Sequence, residues 1–599
     1  MSRLSPILLR SLPLTLLFLG GCQASLPTRP DTPSTAALTY STEQQAAVQE
    51  QLDNASNDYF QQLADRFPER ARALGIEPEA TWSALSSSSQ NGIYQQLQQQ
   101  KQQLQSLPLD ALPAQQQLVA STLIYRINQQ LDWRDCDNNS MPLGSEHDWL
   151  NLLETSLSKD TRVDNIPGFH RYLKRLESAA LLLQQWQQQI SERNQRHVVM
   201  LGSSRKRTLR QLDQMMSGYP FTDSPEPSTL WRDVQTRLTR LDLYPSSHGI
   251  LESKAASILT NHLLPALRAL RHQLTELPVQ TSLSWQQQPN GDACYRLQLT
   301  EMGSAESPEL LQEIAKTRLS AIQQQLVQEL TLDPAQTLAP QLRAWLASHR
   351  IQPSQPQQAA RERLQQLNQQ LPQLFAYLPT TALVIQPSQD ASVISPWYEA
   401  PRPALEQPGI YWTVANHPAS SWRWPLDLYR NTLPGKHLQV ALAQENTQLP
   451  DFMRAPINDD FEPGWLSIAA ELAADLGGYQ NAGEHAWVLL DEMEQELNLI
   501  LDIGIHLYQW PQDKAIRYCQ INSFLSQQDC QQRLQQIMEA PGRLARPAIS
   551  RANLLSLIQS AESELGQDFV GQQFYSDWLA AGLLPPALYG QWLRLWVAQ

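Results

Sequence analysis

The sequence predicts a mainly α-helical protein with one small β element, and three observations carry that prediction. Apolar residues recur at three- and four-residue spacing over long stretches, the pattern of helices with one buried face. Gly is scarce, 23 of 599 residues, whereas Trp reaches 17 and hydrophobic residues 42%, enough to fill a large interior. Only a few short runs are rich in β-branched and aromatic residues bounded by Pro, Ser or Asn-Gly.

Residues 1–22 read MSRLSPILLRSLPLTLLFLGGC. Arg3 and Arg10 precede an apolar run, Leu12–Leu19, that is too short to span a bilayer and suits a signal peptide. The ending Leu19-Gly20-Gly21-Cys22 resembles a bacterial lipobox, which implies cleavage after residue 21 and a diacylglycerol on Cys22. Gln23 follows that Cys, and by the usual sorting rule the lack of Asp there favours the outer membrane, facing the periplasm. Residues 22–40 then form the lipidated Cys and a flexible tether rich in Pro, Ser and Thr. No other run of 18 apolar residues occurs, so the body is expected to be anchored to a membrane through lipid without crossing it.

The body, 41–599, reads as a single large helical unit with a subdomain boundary near 278–305 as the alternative. Thr42–Phe67 places Val48, Leu52, Tyr59 and Leu63 mostly four apart, and Pro68-Glu69 opens another turn. Further amphipathic stretches are 90–106, 113–132, 167–195, 250–276, 307–331, 357–376 and 482–508. In the last, Leu490, Met493, Leu497, Leu501 and Gly504-Ile505 share a face. Leu283–Trp285 and Cys294–Leu299 flank Pro289-Asn290-Gly291-Asp292, which predicts a β-hairpin. Thr381–Ile385, Val393–Trp397 and Ile410–Val414 predict a small sheet beside the helices.

Charge narrows the function classes. Lys and Arg total 45 against 59 Asp and Glu, a net of −14, with no basic block; nucleic-acid binding and a polybasic membrane patch are disfavoured. Much of the polarity is Gln, as in Gln95–Gln105. Export places the remaining four Cys in an oxidising compartment. Cys519 and Cys530, 11 apart between two helical patterns, either staple a helical hairpin or stay reduced; Cys136 and Cys294 then pair or stay buried as thiols. The chain contains no HExxH, Walker-type phosphate loop or GxSxG elbow.

From Pro396 to Ile549 the chain resembles the C-terminal part of a large bacterial family catalogued as domain of unknown function 885, regarded as zinc-peptidase-like. The segments that carry the resemblance are PGIYWTV (408–414), LPGKHLQVALAQE (433–445), FEPGWLSIAAELAADLGGY (461–479), DIGIH (502–506) and APGRLAR (540–546). Weaker blocks follow the family order earlier, among them FPERARALGI (67–76) and PGFHRYLKRLES (167–178). The resemblance implies a helical zinc-peptidase-like body. It also implies a signature of the form HExxPGHHLQ followed by EGWALYAE, in which imidazoles and a carboxylate hold zinc and a Glu activates water.

Laid onto that signature, this chain has Arg430-Asn431 in place of His-Glu and Lys436 in place of a His, while Pro434, Gly435 and His437 match. Pro463 replaces the first downstream Glu, Ala470 the later one with Glu471 beside it, and Arg543 and Arg546 replace Gln and Tyr of the last block. Guanidinium groups only donate hydrogen bonds and cannot ligate a cation; Asn431 cannot accept a proton from water. The expectation is a catalytically inactive, peptidase-like binding or scaffolding protein without a cofactor. Its former site would favour a peptide or anionic ligand through Arg430, Lys436, Arg543 and Arg546, with Trp422, Trp424 and Trp465 as apolar contacts. One alternative is an active zinc hydrolase rearranged around His437, Glu471 and His506, with Asp502 orienting the His506 ring and His485 or His417 in reserve. The other is a purely structural lipoprotein. The protein partner is not legible.

Overall fold

The computed structural model describes residues 40–598 apart from 79–80, 137–140, 145–148, 159–162, 283, 349–354, 389–394, 415–422 and 458–462. The signal segment 1–21, Cys22 and the tether up to residue 39 lie outside the described residues, as do His417 and Trp422.

The fold is mainly α, with two small sheets. The first helix, Thr42–Arg66, begins at Ser41, whose hydroxyl accepts from Gln44 N–H while the Gln44 side chain returns to Ser41 N–H, two otherwise orphaned donors satisfied together. It buries Val48, Leu52, Tyr59 and Leu63, the face read from the sequence. The stretch 250–276 is two α-helices, Pro245–Ile258 and Leu264–Glu276, joined by a π-helical turn at Leu259–Leu263 that lets Pro265 enter without a break.

Residues from both ends of the chain share one apolar core: Val48 to Ile127 and Ala360 to Leu593 contribute to the same cluster. A second cluster is drawn from Leu143 to Leu277. A third joins Trp285 to Leu346 with the helix Ala482–His506. That helix is central: it packs along Pro308–Glu329 and also meets Pro463–Asp475, Gln512–Asn522, Gln527–Glu539 and Arg546–Leu565. Its residues are buried nearly all round, as expected for a helix surrounded by others. At its C-terminal end Gly504 lies against the Trp510 ring, where a Cβ would collide.

Strands β1 (Met200–Leu201) and β2 (Val279–Gln280) pair in parallel. Strands β3 (Leu383–Pro387), β4 (Trp397–Glu399) and β5 (Gly409–Thr413) form a sheet in the order β3-β5-β4, with β5 parallel to β3 and antiparallel to β4. Two of the three β-prone runs near 380–414 thus fall on strands, and the third reaches β4. The hairpin expected around Pro289-Asn290-Gly291-Asp292 does not form. Asn290 takes φ +54° and caps the helix Gly291–Glu301. The run after it places Tyr295 and Leu299 four apart, both buried, so the helical period overrode the turn signal.

Among the described residues two disulfides are present, Cys136–Cys294 and Cys519–Cys530. The second joins the helices Gln512–Asn522 and Gln527–Glu539. Chain-entropy arithmetic on separations of 158 and 11 residues assigns them about 5 and about 3 kcal/mol.

Candidate functional site

The signature segment folds as helix Trp424–Asn431, a tight turn, and helix Lys436–Glu445. Thr432 ends the first helix, its hydroxyl donating to Leu428 O at 2.6 Å. The Leu433–Pro434 bond is cis, and Gly435 N–H returns to Tyr429 O at 3.0 Å. A Cβ on Gly435 would overlap the carbonyl oxygens of Tyr429 and Arg430, so only glycine lets the chain pass. Trp465, 1% exposed, donates its indole N–H to Pro434 O at 3.1 Å. Gly464 lies against the backbone of Ser550 and Arg551, with its N–H on the Ser550 hydroxyl at 2.5 Å. The residues that match the family here hold the turn and the helix crossing together, which accounts for them without chemistry. Trp465 is interior and offers no ligand contact.

Arg430 pairs with Asp491 of the central helix. Asp491 is also met by Arg423 at 3.4 Å, and Arg423 further binds Asp427 at 3.1 Å and Glu494 at 3.1 Å. Arg533 closes the set on Glu494 at 3.0 Å and Asn498 at 2.7 Å. Gln495 donates to Asp491 and Ser467. Three guanidinium groups therefore face three carboxylates. Burial works against the charge of Arg423, but Asp427, Glu494 and Asp491 outweigh it and hold its pKa above the ordinary arginine value. Asn431 turns back on its own helix, donating to Asp427 O at 2.8 Å. The side chains of half-buried Lys436 and Arg546 make no ion pair or hydrogen bond among the described residues, and Arg543 sits in the turn after Pro541-Gly542. Of the four cations singled out in the sequence, Arg430 is already neutralised by Asp491.

The three residues of the rearranged-site alternative have separate surroundings. His437, 1% exposed, donates Nε2–H to Thr381 O at 3.1 Å; a carbonyl only accepts, so Nδ1 is the acceptor for Tyr398 O–H at 3.0 Å. Burial, opposed by Thr381 O and Glu445, takes its pKa down to about 4. His506 is fully buried and repeats the arrangement, with Nε2–H on Ile537 O at 3.0 Å and Nδ1 accepting Trp285 N–H at 3.2 Å. Its pKa falls to about 4, again through burial. Asp502 does not orient this ring: it accepts from Tyr295 O–H at 2.7 Å and Gly542 N–H at 2.9 Å, while the Tyr295 ring packs against the imidazole. Burial pushes Asp502 up to about 7 against those two donors. Glu471, on the helix that starts at Pro463, is held by Arg551 at 2.6 Å. His485 pairs with Glu329.

These residues do not fit a zinc ion. Both nitrogens of His437 and of His506 are committed, the first signature position is a guanidinium, and Glu471 is bound to Arg551. Among the described residues no group of three or more His, Cys, Asp or Glu is placed to hold a metal. Sequence reasoning missed Asp491, Glu494, Arg423 and Arg533. The signal was present: Asp491, Glu494, Gln495, Asn498 and Asp502 recur at helical spacing on a helix that is buried nearly all round, a polar stripe that burial obliges to find partners.

The family described as "Bacterial protein of unknown function (DUF885)" matches residues 68–591. No curated protein matches the chain. A crystal structure of a "putative lipoprotein" from Colwellia psychrerythraea superposes with a TM-score of 0.83 at 16% identity, covering 92% of this chain and 99% of that one. A "putative lipoprotein of unknown function" from Shewanella oneidensis gives 0.68 at 14%, covering 91% and 99%. At these identities the likeness is one of fold, carried over nearly the whole of both chains. The family match spans most of the sequence, and the chain belongs to the DUF885 family of bacterial proteins of unknown function.

Proposed function

We propose that this is a lipid-anchored envelope protein whose zinc-peptidase-like body has lost its metal and its catalysis and serves in binding or scaffolding. The anchor is the thiol of Cys22, and the Gln after it directs the protein to the outer membrane, facing the periplasm. The descriptions of both structural neighbours as lipoproteins support the anchor, and no described helix is long and apolar enough to cross a membrane. The observation that carries the loss of catalysis is the closed network of Arg423, Arg430 and Arg533 with Asp427, Asp491 and Glu494. A divalent ion placed there would meet three guanidinium groups, and the carboxylates that could receive it are already neutralised.

Two measurements test this reading. Palmitate labelling of the expressed protein should be abolished by Cys22→Ala, and labelling that persists would refute the anchor. The purified protein should hydrolyse no peptide in a mixed library, with or without added zinc. Hydrolysis that disappears in His437→Ala would overturn the loss of catalysis.

A further inference from the structure

On the neighbouring face of the central helix lies a cavity of about 580 Å3, walled also by Pro308–Glu329, Pro463–Asp475 and Arg546–Leu565. Five carboxylates line it against two guanidinium groups and one imidazole. Arg551 serves two of the acids, donating to Glu471 at 2.6 Å and to Glu492 at 3.1 Å. Arg318 reaches Glu496 Oε1 only at 3.6 Å. Glu329 and His485 satisfy each other at the rim. Glu496 is 4% exposed, and its Oε2 has no hydrogen-bond partner among the described residues. The lining also includes apolar side chains beside the charged ones, Ile322, Val488, Leu489 and Leu555.

A buried carboxylate with too little counter-charge is stabilised in two ways, by a proton or by a cation. Burial, partly offset by Arg551 and reinforced by Glu471, pushes Glu492 well up; burial pushes Glu496 up against Arg318. A cation entering the cavity would supply the counter-charge that Arg318, 3.6 Å from Glu496 Oε1, does not fully provide. The shape and lining choose the cation. No described group of donors suits a bare metal ion, and no Phe, Tyr or Trp is among the residues lining the cavity to receive a quaternary ammonium. A primary ammonium has three donors for carboxylate oxygens, and an alkyl chain would cover the apolar side chains.

We infer that this cavity binds a primary ammonium group on a short aliphatic stem, with Glu496 Oε2 as its principal acceptor and Ile322, Val488, Leu489 and Leu555 against the stem. The inference goes beyond the reading of the Arg430 network, since it would hold for an active enzyme as well. The ammonium could come from a lysine side chain of a polypeptide or from a free alkylamine.

Calorimetric titration of the full-length protein in detergent separates these outcomes. Butylammonium should bind, and 1-butanol and butyrate should not. Glu496→Gln and, independently, Glu492→Gln should each weaken binding at least tenfold with thermal unfolding still cooperative. Equal binding of Nα-acetyl-lysine amide identifies the polypeptide source; preference for butylammonium identifies the free amine. No binding of butylammonium, equal binding of 1-butanol, or unchanged affinity in both variants would overturn the inference. Zinc binding, present or absent, bears only on the Arg430 network.

Discussion

Asp491 and Glu492 are consecutive on the central helix and therefore point about 100° apart, into regions of opposite character. On the Asp491 side, three carboxylates meet three guanidinium groups, and each acid has a cationic partner. On the Glu492 side, Glu471, Glu492 and Glu496 share Arg551 and a distant Arg318 across a cavity. The residue types are the same; charge balance and packing differ. A balanced network has nothing left to offer a ligand and turns a site into structure. An unbalanced one is at odds with its own burial and is relieved by whatever brings positive charge.

The largest effect should come from opening the balanced side. Arg423→Met leaves Asp427 without its cation and takes one of two partners from Asp491 and from Glu494, and should cost about 3–5 kcal/mol in urea unfolding; a loss under about 1 kcal/mol would remove the distinction between the two faces. A neutral pair of buried groups sharpens it next. His437 and His506, down to about 4 in the fold, take up a proton near 6.5 when unfolded. The unfolded chain then binds more protons between those values, so stability is complete above pH 6.5 and falls as the pH drops towards 4. Each accounts for at most about 3 kcal/mol. Replacing His506 by Gln should flatten the dependence over that window by about one proton; an unchanged slope would show the ring charged in the fold. Asp502, pushed up to about 7, works in the opposite direction, which is why the difference between variant and parent is the quantity to read.

Smaller effects contrast the faces directly. Glu494→Gln breaks charge-assisted bonds to Arg423 and Arg533 and should cost about 2 kcal/mol. Glu496→Gln removes an unmatched buried charge and should lie within about 1 kcal/mol of the parent, or stabilise it. If Glu496→Gln were the more damaging of the two, the assignment of balance and imbalance would be reversed.

Much of the helical fold was legible, because a helix that buries one face writes its period into the chain: Val48, Leu52, Tyr59 and Leu63 are buried as their spacing predicts. The segment after Asn290 was misread because a turn dipeptide was weighed above the Tyr295–Leu299 spacing. The cationic character of Arg430 was legible in the sequence, but the acid that answers it was not. Asp491 and Glu494 lie more than 60 residues along the chain from Arg430 and Arg423. Spacing along one helix shows that an acid is buried, not which distant cation answers it. For the same reason the cavity around Glu496 was invisible, although Glu471 had been singled out.

The central claim is that the ion pairs of Arg423, Arg430 and Arg533 with Asp427, Asp491 and Glu494 are closed on themselves and leave no acid free to receive a divalent ion. Zinc titration of the purified protein, followed by metal analysis after dialysis, tests it most directly. The account predicts no stoichiometric zinc in the parent and none in His437→Ala; one zinc per chain in the parent, lost in His437→Ala, would contradict it.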